Sequence, residues 1–178
     1  MIGAIKGQPV EVIKGPVTGL PIPARAEIVL EGFYHQDADE YEEGPFGEWL
    51  GYTDTGGMRK SLKVEAVYHR NDPIIFGCPP GKPPACNEMY LLCSWRSALI
   101  HDALESVGIP DVKAVWGHEA GNSRLLLIVS IKQRYIGHAK QAALAAATCG
   151  AGAYAAKYVI VVDDDIDPTN INDVLWAV

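Results

Sequence analysis

Two glutamates five positions apart, Glu43 and Glu48, flank the turn Gly44-Pro45-Phe46-Gly47. Proline presets such a turn and glycine tolerates its backbone angles. The turn can bring both carboxylates to one side of a cleft. Two close carboxylates do not both ionise readily, so one pKa rises and that group keeps a proton near neutral pH. A general acid needs this property. The same spacing suits a plain acidic loop, since Asp37, Asp39, Glu40 and Glu42 crowd nearby. A second candidate is Arg134-Tyr135-Ile136-Gly137-His138-Ala139-Lys140, at a predicted strand-to-helix junction. Backbone N–H groups at a helix start favour a phosphate, and Lys140 lies within the first turn. The alternative is a solvated lysine on a helix face. A third is Asp163-Asp164-Asp165-Ile166-Asp167, acids that can take Mg2+ or Ca2+ or can simply solvate a strand end and cap a helix. The run lacks the glycine and distal glutamate of a calcium loop. Gly150-Ala151-Gly152-Ala153-Tyr154-Ala155 follows a predicted helix rather than a strand, the wrong context for a dinucleotide loop.

The elements that must position these residues change character along the chain. Val10–Ile13, Glu27–Gly32, Trp49–Tyr52, Leu62–Tyr68 and Ile74–Phe76 read as short strands, separated by Gly/Pro turns and an acidic, turn-rich stretch at Asp37–Glu43. They predict a β-barrel or sheet segment over about residues 8–77. Cys78-Pro79-Pro80-Gly81-Lys82-Pro83-Pro84 then makes a linker or rigid corner. Beyond it, Asn87 is expected to cap a helix running to about Val107, with Leu91, Leu92, Trp95, Leu99 and Leu104 at helical spacing. Val112–Trp116, Leu125–Ile131 and Tyr158–Val162 read as strands, and Ala139–Thr148 as a small-residue helix packed against a sheet. Asp167-Pro168-Thr169-Asn170 starts a last helix. The predicted class is mixed α+β, a β segment followed by an α/β one.

The 178 residues carry a formal net charge of -7, which argues against holding a phosphate backbone by bulk electrostatics; no nucleic-acid partner is expected. No apolar run approaches the ~20 residues of a membrane span. Met1–Gly7 does not read as an export signal. Cys78, Cys86, Cys93 and Cys149 contain no C-x-x-C pair, so zinc is not expected; they read as small reduced thiols of a cytoplasmic protein. The apolar end Leu175-Trp176-Ala177-Val178 carries no stop signal, so the chain is expected to be a piece of something longer or one part of an assembly.

Ala26-Glu27-Ile28-Val29-Leu30-Glu31-Gly32, followed by Glu43-Gly44-Pro45-Phe46-Gly47-Glu48 with Gly51-Tyr52, resembles the core signature of the UbiD family of decarboxylases. Tyr135-Ile136-Gly137-His138-Ala139-Lys140, Val161-Val162-Asp163-Asp164-Asp165-Ile166-Asp167 and Asp173-Val174-Leu175-Trp176-Ala177 follow in that family's order. The resemblance implies a reversible carboxy-lyase acting on aromatic or α,β-unsaturated carboxylic acids, with prenylated FMN as cofactor beside Mn2+ and K+. It implies that residues 1–78 are the second part of an FMN-binding split β-barrel, the middle domain. Residues 79–178 would then be a truncated α/β C-terminal domain. By motif, Glu43 would pair with a catalytic arginine, Glu48 would protonate the decarboxylated carbon, and Lys140 would contact the flavin phosphate. That arginine and the metal-binding Asn, His and Glu lie upstream of the matched region in the family, so no residue of this chain is assigned to a metal.

Two readings follow. In one, the chain is a fragment or small subunit of a UbiD-type enzyme, inactive alone and working as a homo-oligomer or with a complementing UbiD-type chain. In the other, it is a non-catalytic truncated homologue that acts as an assembly or binding partner. Retention of both glutamates favours the first.

Overall fold

Strands of two to seven residues broken by glycine and proline can pair only as brief ladders, and this governs the first half of the chain. In the computed structural model, which describes residues 2–85 and 87–178 apart from the side chain of Asn87, a short helix α1 (Ile2–Lys6) leads into eight strands. They are β1 (Val12–Lys14), β2 (Pro21–Pro23), β3 (Ile28–Phe33), β4 (Glu40–Glu43), β5 (Phe46–Gly47), β6 (Thr53–Asp54), β7 (Gly57–Lys60) and β8 (Lys63–His69). The expected cap at Asn87 and the expected thiol of Cys86 lie outside the described residues. Two compact units divide the chain: residues 1–46 with 54–77, and residues 47–53 with 78–178.

In the first unit, β1 pairs with β2, β3 with β8 and β4 with β7, all antiparallel. Lys63–His69 alternates as its period predicts, and the β3–β8 ladder slips by a bulge between Glu31 and Gly32. Glu31 is buried at 4 % exposure and serves as an internal anchor. Its carboxylate accepts the Thr18 hydroxyl at 2.6 Å and the N–H groups of Thr18 and Val17 at 3.0 and 3.3 Å. The Thr18 hydroxyl, with these N–H groups, holds its pKa down to about 2 against the upward push of burial. A Cβ on Gly15 would stand 2.1 Å from Glu31 Oε1, so the residue facing this carboxylate must be glycine.

Three local expectations are corrected. The acidic stretch before Gly44 is partly strand: Glu40–Glu43 pairs with Gly57–Lys60 of β7, and of its acids Glu43 meets a cation there, Arg59. Trp49–Tyr52 is a turn, closed by the Gly51 N–H on the Glu48 carbonyl at 2.9 Å. Ile74–Phe76 forms no strand; with no ladder partner, its three apolar side chains stay exposed.

The second unit is a sheet with helices on both faces. Its elements are α2 (Asn87–Ser106), β9 (Val112–Gly117), a 3-10 turn (Glu119–Gly121), β10 (Leu126–Ile131), α3 (His138–Thr148), β11 (Tyr158–Asp163) and α4 (Ile171–Ala177). The strand order is β11-β10-β9, with β10 parallel to β11 and antiparallel to β9. Leu127, Val129 and Ile131 pack under Ile100 and Leu104 of α2 and Ala142 and Ala146 of α3. Ile128 faces the other way, against Val162 and Val174. A central strand covered on both faces is near-continuously apolar, which is why Leu126–Ile131 shows no alternation; its one polar residue, Ser130, is buried with its hydroxyl on the Asp163 carbonyl at 3.1 Å.

Helix α2 ends where Gly108 takes a φ of +82° and its N–H reaches the Glu105 carbonyl at 3.0 Å. Its buried face is Met89, Cys93, Ser97, Ile100 and Leu104. Of the apolar residues at helical spacing, Leu91, Trp95 and Leu99 are exposed, because α2 is apolar on more than one side and the sheet takes only one. Cys93 and Cys149 are free thiols, whereas Cys78 is disulfide-bonded, contrary to the expectation of four reduced thiols. The proline-rich corner after Cys78 has little conformational freedom left to lose when a cross-link forms. Among the described residues no helix is long and apolar enough to cross a membrane.

Candidate functional site

Glu43 ends β4 in the first unit and is exposed. Its carboxylate lies 3.5 Å from Arg59 Nε on β7, the neighbouring strand. The backbones are fixed just here: a Cβ on Gly56, whose φ is +77°, would stand 1.6 Å from the Glu43 carbonyl oxygen. An exposed pair of this kind contributes little to stability, but it gives the carboxylate a set direction.

Glu48 belongs to the second unit and is half-buried. Its Oε2 accepts the Trp49 N–H at 3.1 Å, and its own N–H donates to the Tyr52 carbonyl at 2.8 Å. The turn is tied to the sheet by the side-chain amide of Asn122, which donates to the Trp49 carbonyl. Glu48 lines a cavity of about 170 Å3. Its walls are mostly apolar, from Pro79, Pro80, Ala85, Met89 and Leu92, with Glu88, Asn122 and Arg124 as the other polar lining. The Arg124 guanidinium lies 4.5 Å from the centre of the Trp49 ring and 5.6 Å from that of Tyr154. Arg96 stands 5.9 Å from the same tyrosine ring, and its NH1 group donates to the Ala151 carbonyl at 2.8 Å. Burial, then the Arg124 charge, lowers the Arg96 pKa from its ordinary value.

Lys140 is exposed in the first turn of α3. That helix begins at Gly137, which offers no side-chain cap; the His138 N–H donates to the Tyr135 carbonyl at 3.2 Å, which leaves those of Ala139 and Lys140 without a cap. His138 beside it is fully buried and stacks on Tyr135 at 4.6 Å. Its Nδ1 accepts the Arg134 N–H at 3.3 Å and its Nε2 has no partner, which makes it an orphaned buried donor. The helix end and the lysine fit an anionic group such as a flavin phosphate, while the His138 nitrogen is closed off inside the unit. Arg134 is not free to join them. It grips Asp111 with two hydrogen bonds, one of 2.8 Å, and holds that carboxyl below its usual pKa.

Ala139, also in the first turn of α3, lines a separate cavity of about 450 Å3 with Gln133, Asp163, Asp165 and Trp176, at the C-terminal ends of β10 and β11. The carboxylates of the Asp163–Asp167 run do not converge on one point. Asp167 accepts the Thr169 N–H and hydroxyl, which lower its pKa, and Asn170 caps α4 through the Asn172 N–H. Among the described residues the converging metal-type cluster is His101, Asp102 and Glu105 on α2, largely exposed.

Thus the structure puts Glu43 in one unit and Glu48 and Lys140 in the other, and Lys140 does not line the Glu48 cavity. Sequence reasoning missed Arg124, Trp49 and Tyr154 as neighbours. They lie far apart in sequence, and the one available signal was a lone arginine at the mouth of an apolar strand.

Comparisons with known proteins cover almost all of this framework. The family described as the 3-octaprenyl-4-hydroxybenzoate carboxy-lyase Rift-related domain matches residues 1–83, and that enzyme's C-terminal domain matches residues 89–178. A phenolic acid decarboxylase of Bacillus subtilis is 38% identical over 99% of this chain, and the chain spans 37% of that protein. The UbiD-class enzyme HmfF of Pelotomaculum thermopropionicum, an evolved dimeric form in complex with prFMN, superposes with a TM-score of 0.86 at 30% identity, over 98% of this chain and 39% of that one. Vanillic acid decarboxylase of Sedimentibacter hydroxybenzoicus, in open form, gives 0.85 at 32% identity, over 98% of this chain and 37% of that one.

Proposed function

Because the chain belongs to the UbiD family of carboxy-lyases, we propose that it supplies the proton donor and the flavin-phosphate end of a decarboxylase for aromatic or α,β-unsaturated acids. The observation that carries this is Glu48, a half-buried carboxyl in a largely apolar cavity of about 170 Å3. A cavity of roughly 150 Å3 accepts benzene, so a single ring has room here. The apolar walls reduce the water in contact with the carboxyl.

In this reading Glu48 gives its proton to the carbon that has lost CO2. Glu43 orients a guanidinium; Arg59 is its partner in this chain, and the family's catalytic arginine would be its partner in the assembled enzyme. Lys140 and the open N–H groups of α3 hold the cofactor phosphate. Prenylated FMN, when bound, supplies the electron sink for carbon–carbon cleavage. Mn2+ and K+ are assigned to ligands outside this region. Residues 1–78 serve as part of a split β-barrel and residues 79–178 as the α/β C-terminal domain. The chain spans little more than a third of its relatives' length, so the arginine and the metal cage come from the remaining parts or from a complementing chain.

A second reading, a non-catalytic assembly partner, is favoured by one observation: the first unit exposes Leu20, Leu30, Val67, Ile74 and Phe76. One experiment separates the two. The chain is mixed with the N-terminal part of a UbiD relative, prenylated FMN, Mn2+ and K+, and CO2 release is followed from a panel of aromatic and unsaturated acids. Release that depends on Glu48 supports the enzyme. A stoichiometric complex without release supports the assembly role.

A further inference from the structure

The turn that carries Glu48 is seated between two parts of the second unit. Gly47 and Gly51 lie against the proline-rich corner: an added Cβ would stand 2.8 Å from the Pro80 carbonyl oxygen at the first and 2.6 Å from Lys82 Cα at the second. Midway between those glycines, the Trp49 carbonyl accepts the side-chain amide of Asn122, a bond that spans 73 residues of sequence. The Trp49 N–H donates to the Glu48 carboxylate at 3.1 Å. One residue thus receives Asn122 on its carbonyl and steers the carboxylate with its N–H, so a shift of Trp49 shifts the carboxylate.

The backbone at Asn122 does not explain the choice of residue. Asn122 closes the turn Glu119–Gly121 in the left-handed region, at a φ of +50°, with its N–H on the Glu119 carbonyl at 2.9 Å. Glycine serves such a position with no steric cost. Ser123 follows at a φ of +60°, so two consecutive residues with side chains are held in a conformation that disfavours them. Strain of this kind persists where the surroundings enforce it, and it gathers at functional sites. Asn122 is also 5 % exposed, and it lines the same cavity as Glu48. What asparagine adds to glycine here is the amide on the Trp49 carbonyl.

We propose that Asn122 is a positioning residue for Glu48: its side-chain amide fixes Trp49, and Trp49 in turn fixes where the carboxyl stands in the cavity. The effect on turnover rests on the reading of Glu48 as proton donor; the hold on the turn does not.

Hydrogen exchange in the full chain tests the hold. The amides of Glu48, Trp49 and Gly51 donate to the Tyr52 carbonyl, the Glu48 carboxylate and the Glu48 carbonyl. Asn122→Gly keeps the left-handed backbone and removes only the side chain. These three amides should then exchange about tenfold faster, the worth of one hydrogen bond, while those of Leu127–Ile131 keep their rates. Asn122→Asp keeps the size and replaces the donor by an acceptor; it should loosen the turn likewise and decides the matter if Asn122→Gly does not fold. In the complemented assembly Asn122→Gly should lower kcat about tenfold or more at unchanged KM and unchanged retained flavin. In a Glu48→Gln background it should cost nothing further, because a residue that acts through Glu48 has no effect once the acid is gone. Unchanged exchange of the three amides, an equal loss of kcat in both backgrounds, or a raised KM with kcat intact would overturn the assignment. Faster exchange in an assembly without turnover, or with turnover indifferent to Glu48→Gln, defeats the proton-donor reading and leaves the hold of Asn122 standing. Turnover that needs Glu48 but is untouched by Asn122→Gly does the reverse.

Discussion

Glu48 and Glu31 are both carboxylates beside backbone N–H groups, yet they are built for opposite ends. Glu31 is locked: three donors converge on it inside the first unit, and the charge is part of the fold. Its folded pKa of about 2 lies below the ordinary 4.5. The stabilisation it gives is therefore complete above pH 4.5 and lost as the pH falls towards 2. Denaturant midpoints of the chain and of Glu31→Gln should differ at pH 7 and converge as the pH approaches 2. Gly15→Ala should mimic Glu31→Gln at pH 7, since its Cβ displaces the carboxylate. Glu48, by contrast, accepts one N–H and faces a cavity. In the complemented assembly Glu48→Gln keeps the side chain's size but has no carboxyl proton to give. Turnover should drop by about 10²–10⁴-fold, the usual worth of a general acid, while flavin absorbance retained after desalting stays the same. A rate close to the parent's would remove Glu48 from the proton path.

Elements with a clean period are legible in the sequence. Lys63–His69 alternates, Leu126–Ile131 is apolar but for Ser130 and does not alternate, and the alanine run of α3 reads as a helix. What stayed illegible depends on partners distant in sequence. The Ile74–Phe76 run looks like a strand until no ladder is there to take it, and the exposed stripe of α2 looks like its core face until the sheet selects another. The candidate site divides in the same way. Glu43 and Glu48 stand out by spacing, whereas Arg124 matters only because a turn and a tyrosine far along the chain close on it. The packing of α3 offers a direct check. Ala142 and Ala146 are fully buried against the sheet, so Ala146→Leu should cost about 1–3 kcal/mol through overpacking. Urea titration of the second unit's transition reads this as a lower midpoint.

At the scale of the molecule, the proposed role as part of a larger enzyme fits the apolar surface that the chain exposes. Trp176, at 82 % exposure, and Leu175 add to that surface at the end of the second unit. Light scattering should therefore show self-association that rises with concentration, or a stable complex with a complementing chain. A clean monomer at high concentration with no such affinity would contradict the proposed assembly. Prenylated FMN offered with Mn2+ and K+ should be lost on desalting from the chain alone and retained once the complement is present. The two units also differ in how their backbones are sheltered. The amides of β10 sit between two hydrogen-bonded neighbours and under side chains on both faces, while the ladders of the first unit are two strands wide. Deuterium from solvent should then reach Leu127–Ile131 only when the whole second unit opens, and should label the first unit's strands much sooner. The isotope pattern of the resting chain thus dates the order in which it comes apart, and binding of a complement would be written first into the amides that label fastest.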